Sequence, residues 1–153
     1  MTTTATLCFL RRRKEVLLIY KKRGFGVGKY NGPGGKVQSG ETPEACAIRE
    51  VEEELGYTPR NLSFHGILIF YFGKQEKPAW EVHVFQTHEF TGELRESEEA
   101  SGHWTPLNAI PFDKMWPDDE IWLPKVLENE TVHGTFWFTE DMNTLLEYKL
   151  GKN

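Results

Sequence analysis

Cysteine is nearly absent from this sequence: Cys8 and Cys46 are too few for a disulfide framework or a cysteine-built zinc site. A reducing compartment is the resulting expectation. No apolar run approaches the roughly 18 residues a membrane helix needs, and the amino terminus lacks the apolar core of a secretory leader. The chain is therefore expected to be cytoplasmic, with no membrane contact. Without secretion, the glycosylation patterns at Asn61-Leu62-Ser63 and Asn129-Glu130-Thr131 carry no meaning. Basic charge is not in excess either, since 18 Lys and Arg stand against 23 Asp and Glu, for a net charge of -5. That balance gives no footprint for duplex nucleic acid, although a small anion held through a metal ion stays open. The basic run Arg11 to Lys14 reads as a solvated hairpin turn. Internal repeats, low-complexity tracts and divisive linkers are missing as well, which predicts one domain over residues 1–153. A monomer is the separate expectation for its assembly. The five histidines show no metal-ligand spacing.

What the sequence does contain is a set of short apolar runs and two helical segments. Ala5 to Leu10 and Glu15 to Lys21 bracket the basic run as strand, turn and strand. Leu62 to Phe72 and Trp80 to Thr87 read as further strands, and Thr135 to Thr139 with Thr144 to Leu150 as a late hairpin. Thr42-Pro43 supplies an N-cap and a first-turn proline, and Gly56 a stop, which predicts a helix over 43–55. A second helix begins around Trp116 to Asp119 and runs through Leu127, with Pro124 blurring its bounds.

Seven of the fourteen glycines fall between residues 24 and 40, so this loop bends sharply or approaches something closely. It is not a P-loop, because Gly35-Lys36 is followed by Val37. The helix after it carries four glutamates between residues 50 and 54. At about 100° per residue, Glu50, Glu53 and Glu54 share one face, Glu52 points away, and Ile48, Val51 and Leu55 form an apolar seat. Two like charges 4 Å apart repel by about 4 kcal/mol at an effective dielectric near 20, so a solvated acidic helix competes with a helix that holds a hard divalent cation.

The run Gly35, Glu41, Arg49-Glu50-Val51, Glu53-Glu54, Gly56-Tyr57 resembles the signature box of the Nudix hydrolases, departing only at Tyr57, where an aliphatic residue is usual. The resemblance implies a mixed β-sheet sandwiched between α-helices, an α+β fold. It implies that Glu50, Glu53 and Glu54 with the Gly35 carbonyl hold magnesium, for which manganese could substitute, and that Arg49 and Glu41 brace loop against helix. Glu50 and Glu53 are the candidates for general base. Glu99 matches a further loop carboxylate near the metal, ahead of Glu98.

Lys21 to Gly26, Tyr30 to Val37, Phe112 to Asp119 and His133 to Phe138 are similar to the branch of that family acting on oxidised purine nucleoside triphosphates. That likeness implies hydrolysis of substrates such as 8-oxo-dGTP or 2-hydroxy-dATP to monophosphate and pyrophosphate. Asn31, Asp118 and Asp119 would bind purine edges, and Trp116 and Phe25 would stack on or border the base. Phe70, Phe72 and Trp80 would line the pocket, and Lys21 would help place phosphate. Tyr30 and Pro33 differ from the bulkier aromatics of that branch, which is expected to alter the pocket floor. Other nucleoside diphosphate derivatives as substrates, or a silent nucleotide or RNA-end binding module, remain the alternatives.

Overall fold

A computed structural model describes residues 1–151. In chain order its strands are β1 (Thr3–Arg12), β2 (Glu15–Lys21), β3 (Tyr30–Asn31), β4 (Tyr57–Arg60), β5 (Ser63–Phe72), β6 (Trp80–Thr87), β7 (Glu89–Gly92), β8 (Ala100–Pro106), β9 (Gly134–Phe138) and β10 (Leu145–Leu150). Its helices are α1 (Pro43–Leu55), between β3 and β4, and α2 (Asp119–Leu127), between β8 and β9, with one short 3-10 turn at Phe112–Lys114.

The sheet is mixed, as expected. Its strands run β10-β9-β5-β6-β1-β2-β3, with β8 also paired to β2, while β4 and β7 form a separate ribbon. Pairing is parallel between β1 and β6 and between β5 and β9, and antiparallel elsewhere. Alternation along β1 and β2 sends Phe9, Val16 and Leu18 to one face, with Trp122, Leu123 and Val126 of α2. Cys8, Leu10, Leu17 and Ile19 face the other way, toward Ala47, Val51 and Leu55 of α1. The two helices therefore cover opposite faces, and each large apolar side chain so buried contributes about 1.5–3 kcal/mol.

Helix α1 has the predicted bounds. The Thr42 side chain accepts from Ala45 N–H at 3.1 Å, Pro43 opens the first turn, and Gly56 closes it at φ 83°, donating its N–H to Glu52. The seat differs from the expected stripe, because Ile48 is only half-buried and Ala47 takes its place beside Val51 and Leu55. Helix α2 continues through Pro124 despite the lost amide donor, held by its buried Trp122, Leu123 and Val126.

The basic run is not all turn. Arg11 is still in β1 and buried, donating from Nη1 to Gln86 Oε1 at 2.5 Å and to the Leu127 carbonyl at 3.1 Å. It satisfies the carbonyl end of α2, where a cation also complements the helix dipole.

β1 and β2 pair only near their hairpin, at Arg11↔Val16 and Arg12↔Glu15. As they diverge, the glycine-rich segment enters the gap and pairs with β1. Cys8 N–H donates to Pro33, Thr6 N–H to Gly35, and Val37 N–H to Thr4, each at 2.8–2.9 Å. This insertion brings the loop glycines against α1. Among the described residues, no helix is long and apolar enough to cross a membrane.

Candidate active site

Sequence segments far apart meet around one cavity of about 270 Å³. Phe70, Phe72 and Trp80 come from β5 and β6, Asn31 from β3, Lys21 from the end of β2, and Phe25 from the loop between. Trp116, Asp118 and Asp119 come from the entry to α2, and Gly35 and Glu54 from the loop and α1. Every residue expected to touch nucleoside or phosphate thus lies in a single wall. Glu50, Glu53, Arg49, Glu41, Gly56 and Glu99 are not in that lining.

At the α1 side, Glu54 is buried and accepts the Gly34 N–H at 3.1 Å. Burial raises its pKa to about 7, opposed by that hydrogen bond and by the Lys21 charge, and reinforced by Glu50 and Glu99. Glu50 is also shifted upward, again chiefly by burial. Gly35 is required here, because a Cβ on it would come within 2.6–2.7 Å of both Glu50 carboxylate oxygens. A Cβ on Gly34 would collide with the Thr6 carbonyl.

Arg49 makes the expected brace. Its Nε and Nη2 donate to the two Glu41 oxygens at 2.7 and 3.0 Å, and Nη2 also reaches the Lys36 carbonyl at 3.2 Å. This bidentate partner holds the Glu41 carboxyl down at about 2. Arg49 Nη1 also donates to Glu50 at 2.9 Å and to the exposed Glu53 at 3.3 Å.

Three expectations change at this end. The Gly35 carbonyl accepts the Thr6 N–H at 2.9 Å and so points into the β1 pairing. Glu53 lies at the solvent edge against Arg49, and among the described residues no three His, Cys, Asp or Glu side chains converge on one point as metal ligands. Glu99 is held by Arg23, whose Nε and Nη2 both lie 3.0 Å from its Oε1, with Glu98 on the same guanidinium.

The other end is aromatic. Phe25 stacks on Trp116 at 5.3 Å and on Trp80 at 5.8 Å. Asp118 and Asp119 are each 3% exposed. Asp118 Oδ2 accepts the Trp122 indole N–H at 2.7 Å, whereas the buried Asp119 Oδ2 has no hydrogen-bond partner among the described residues. Burial pushes Asp118 up to about 6, and burial together with the Asp118 charge pushes Asp119 well above its usual range. Neither acts as an ordinary cap: Asp118, at the cap position of α2, makes no side-chain capping bond. Asn31 Oδ1 accepts the Gly32 N–H at 2.8 Å.

Tyr30 and Pro33, expected to shape the floor, do not line the cavity. Tyr30 packs edge-on against Tyr20 and His103, and Pro33 is buried with its carbonyl bonded to Cys8. Sequence reasoning missed Thr6, Lys36 and Trp122 in the wall. Trp122 was accessible, since a residue four positions after Asp118 shares its helix face. Thr6 had no such signal, because only the splayed β1 exposes it.

The NUDIX domain model matches residues 1–126. The chain belongs to the Nudix family. It is 42% identical over 146 residues to the oxidized purine nucleoside triphosphate hydrolase of Danio rerio, covering 95% of this chain and 92% of that protein. The Mus musculus protein of the same name is 43% identical over the same coverage. Among solved structures, the mutator MutT protein of Bacillus halodurans superposes with a TM-score of 0.86 at 30% identity, covering 97% of both chains. This Nudix chain therefore carries its signature box on α1 and the loop before it, within a fold shared along nearly its whole length.

Proposed function

We propose that this Nudix chain is a magnesium-dependent hydrolase of oxidised purine nucleoside triphosphates, such as 8-oxo-dGTP and 2-hydroxy-dATP. It releases monophosphate and pyrophosphate, and so clears damaged nucleotides from the pool. The reading includes one domain over residues 1–153, acting as a monomer in the cytoplasm. The observation that carries it is a single wall joining a buried aspartate pair between aromatic rings to the carboxylate end of α1. The names of the Danio rerio and Mus musculus relatives support the same substrate class.

The acidic end fits a hard cation on its own chemistry. Glu50 and Glu54 hold carboxylates whose burial is incompletely compensated, and Gly35 leaves the space beside Glu50 free of a side chain. Glu50, Glu53, Glu54 and Glu99 are the proposed ligands, and Glu53 would exchange Arg49, and Glu99 would exchange Arg23, for the cation. The proposed backbone ligand is the Gly35 carbonyl, whose second lone pair is not used by the Thr6 N–H, with the neighbouring Gly34, whose N–H faces Glu54, as the alternative. Bound there, magnesium neutralises charge on the triphosphate and makes a water easier to deprotonate.

The chain's own groups do the rest. Arg49 anchors Glu41 and orients Glu50 and Glu53, the two candidates to take the proton of the attacking water. Water attack at the α-phosphorus breaks its bond to the bridging oxygen and frees pyrophosphate. Lys21, in the wall and felt by Glu54, is suited to a phosphate oxygen. Trp116, Phe25 and Trp80 offer flat surfaces to a base, and Phe70 and Phe72 close the apolar wall beside them. Asp118 and Asp119, sharing a proton, offer both donor and acceptor to a purine edge, joined by Asn31.

The test is a hydrolysis panel with magnesium, comparing oxidised and unmodified purine triphosphates, ADP-ribose and a dinucleoside polyphosphate by product analysis. Preferential release of pyrophosphate from the oxidised purines is expected. Equal turnover of unmodified triphosphates refutes the substrate class, and nucleotide binding without release favours a silent binding module.

A further inference from the structure

Three lysines address the cavity, and they act on different parts of it. Lys21 lies in the wall and its charge reaches Glu54. Lys36 also lies in the wall, with Nζ 5.7 Å from the Trp80 ring centre. Lys29 is not in the lining at all, yet its Nζ sits 5.0 Å from the ring centre of Trp116. It is half-buried there rather than waving in solvent.

The backbone fixes that position. The Lys29 carbonyl accepts the Lys21 N–H at 3.1 Å, its own N–H donates to Gly26 at 3.1 Å, and β3 begins at the next residue. The same short loop wraps the indole with Phe25, stacked at 5.3 Å, and with Gly26, where a Cβ would lie 3.6 Å from the indole Nε1. Trp116 in turn accepts the Asp119 N–H on its carbonyl at 3.0 Å. Lys29 thus touches the Trp116 side chain, the Trp116 carbonyl holds the Asp119 backbone, and Asp119 carries the buried oxygen that no group among the described residues satisfies.

We propose that Lys29 is a specificity-determining positioning residue: from outside the cavity lining its ammonium holds the Trp116 indole in place and favours one negative charge on the Asp118–Asp119 pair. This rests on the oxidised-purine reading above. A pair with one proton presents a donor beside an acceptor, whereas a fully protonated pair presents a different edge pattern, so the charge on the pair decides which purine edge is matched. The Lys29 charge opposes the upward shift of Asp119, in the direction this role requires. The other groups facing the pair are the Trp122 indole N–H on Asp118 and the backbone around Trp116. Lys21, Lys36 and Glu54 are the remaining charged members of the wall, and Glu120 and Lys125 on α2 and Asp113 and Lys114 before it are exposed.

The experiment compares wild type, Lys29→Met and Lys29→Arg. Carboxyl-carbon NMR of aspartate-labelled protein without nucleotide follows the titration of the pair, and steady-state assays with magnesium give kcat and KM for an oxidised and an unmodified purine triphosphate across neutral pH. Lys29→Met is expected to raise the apparent midpoint of the pair by about half to one pH unit and to lower oxidised-purine preference about fivefold through KM, with kcat within about twofold. Lys29→Arg restores both. An unmoved midpoint, an unmoved preference or failure of arginine to restore them overturns the inference. A wild type that shows no preference overturns the functional reading instead, and the midpoint with the KM for the unmodified triphosphate then decides on Lys29.

Discussion

Two pairs of carboxyl groups stand at opposite ends of the site, Asp118 with Asp119 in the cavity wall and Glu54 of that wall with Glu50 beside it on α1, and they are shielded in different ways. The glutamates stand on one helix face four residues apart, with Arg49 and the Gly34 amide touching them and Glu50 still partly open. The aspartates are neighbours in sequence and sealed from solvent, with the Trp122 indole donating to Asp118 and the backbone around Trp116 facing Asp119. A partly open pair with excess negative charge is relieved by a cation arriving from solution. A sealed pair is relieved by keeping a proton, which turns it into a reader of hydrogen-bond patterns.

The sharpest way to break this contrast is to remove one charge from each pair. Glu54→Gln should lower magnesium-supported pyrophosphate release by about three orders of magnitude, on the scale of other electrostatic losses at reacting centres. A mutant retaining a tenth of wild-type kcat would show that Glu54 is not part of the metal end. Asp119→Asn should instead cost about 10- to 100-fold in the preference for oxidised over unmodified purines, the size of one or two mismatched hydrogen bonds. Its magnesium dependence should stay at the wild-type midpoint, and a matching loss of magnesium affinity would merge the two ends into one.

Phe25→Ala should raise KM about tenfold, since base–aromatic stacking is worth roughly 1–3 kcal/mol, with kcat little changed. A kcat loss without a KM change would mean that the ring acts on the chemistry rather than on the base.

The pH dependence of stability separates the pairs more gently. The Glu54 carboxyl has a folded-state pKa of about 7, above its unfolded value, so the folded state binds more protons in between. Stability therefore falls as pH rises from about 4.5 toward 7, by roughly 2–3 kcal/mol for this group. Metal-free Glu54→Gln should melt at a higher temperature than wild type at pH 8 and at a similar one near pH 4; equal melting at both would remove the strain assigned to Glu54. The smallest effect is expected at Tyr30→Phe, with oxidised-purine preference within about twofold of wild type, because that ring packs on Tyr20 and His103 outside the cavity.

Much of the acidic end was legible because its geometry is local. A helix converts the order Glu50, Glu53, Glu54 directly into a shared face, and Thr42, Pro43 and Gly56 mark its limits through backbone chemistry that neighbours cannot change. The details that failed there depend on neighbours. Ile48 yields to Ala47 because the splayed β1 and β2 set which helix face is covered, and Gly35 turns its carbonyl into β1 because the loop has become a pairing partner. The aromatic end was reached through likeness to relatives of the family, not through periodicity. Phe70, Trp80 and Trp116 are far apart in sequence, and nothing local distinguishes a cavity wall from a core.

By itself the sequence determined the elements and the chemical character of their faces, because helix caps, glycine conformations and the alternation of a strand are decided within a few residues. Tertiary structure alone decided that Arg11 caps α2 from inside, that Glu53 turns outward onto Arg49, and that Asp119 is buried with an oxygen left unmatched. Each of those outcomes depends on which distant backbone arrives beside the side chain, and so on the free energy of burying a charge among partners that no local stretch of sequence can name.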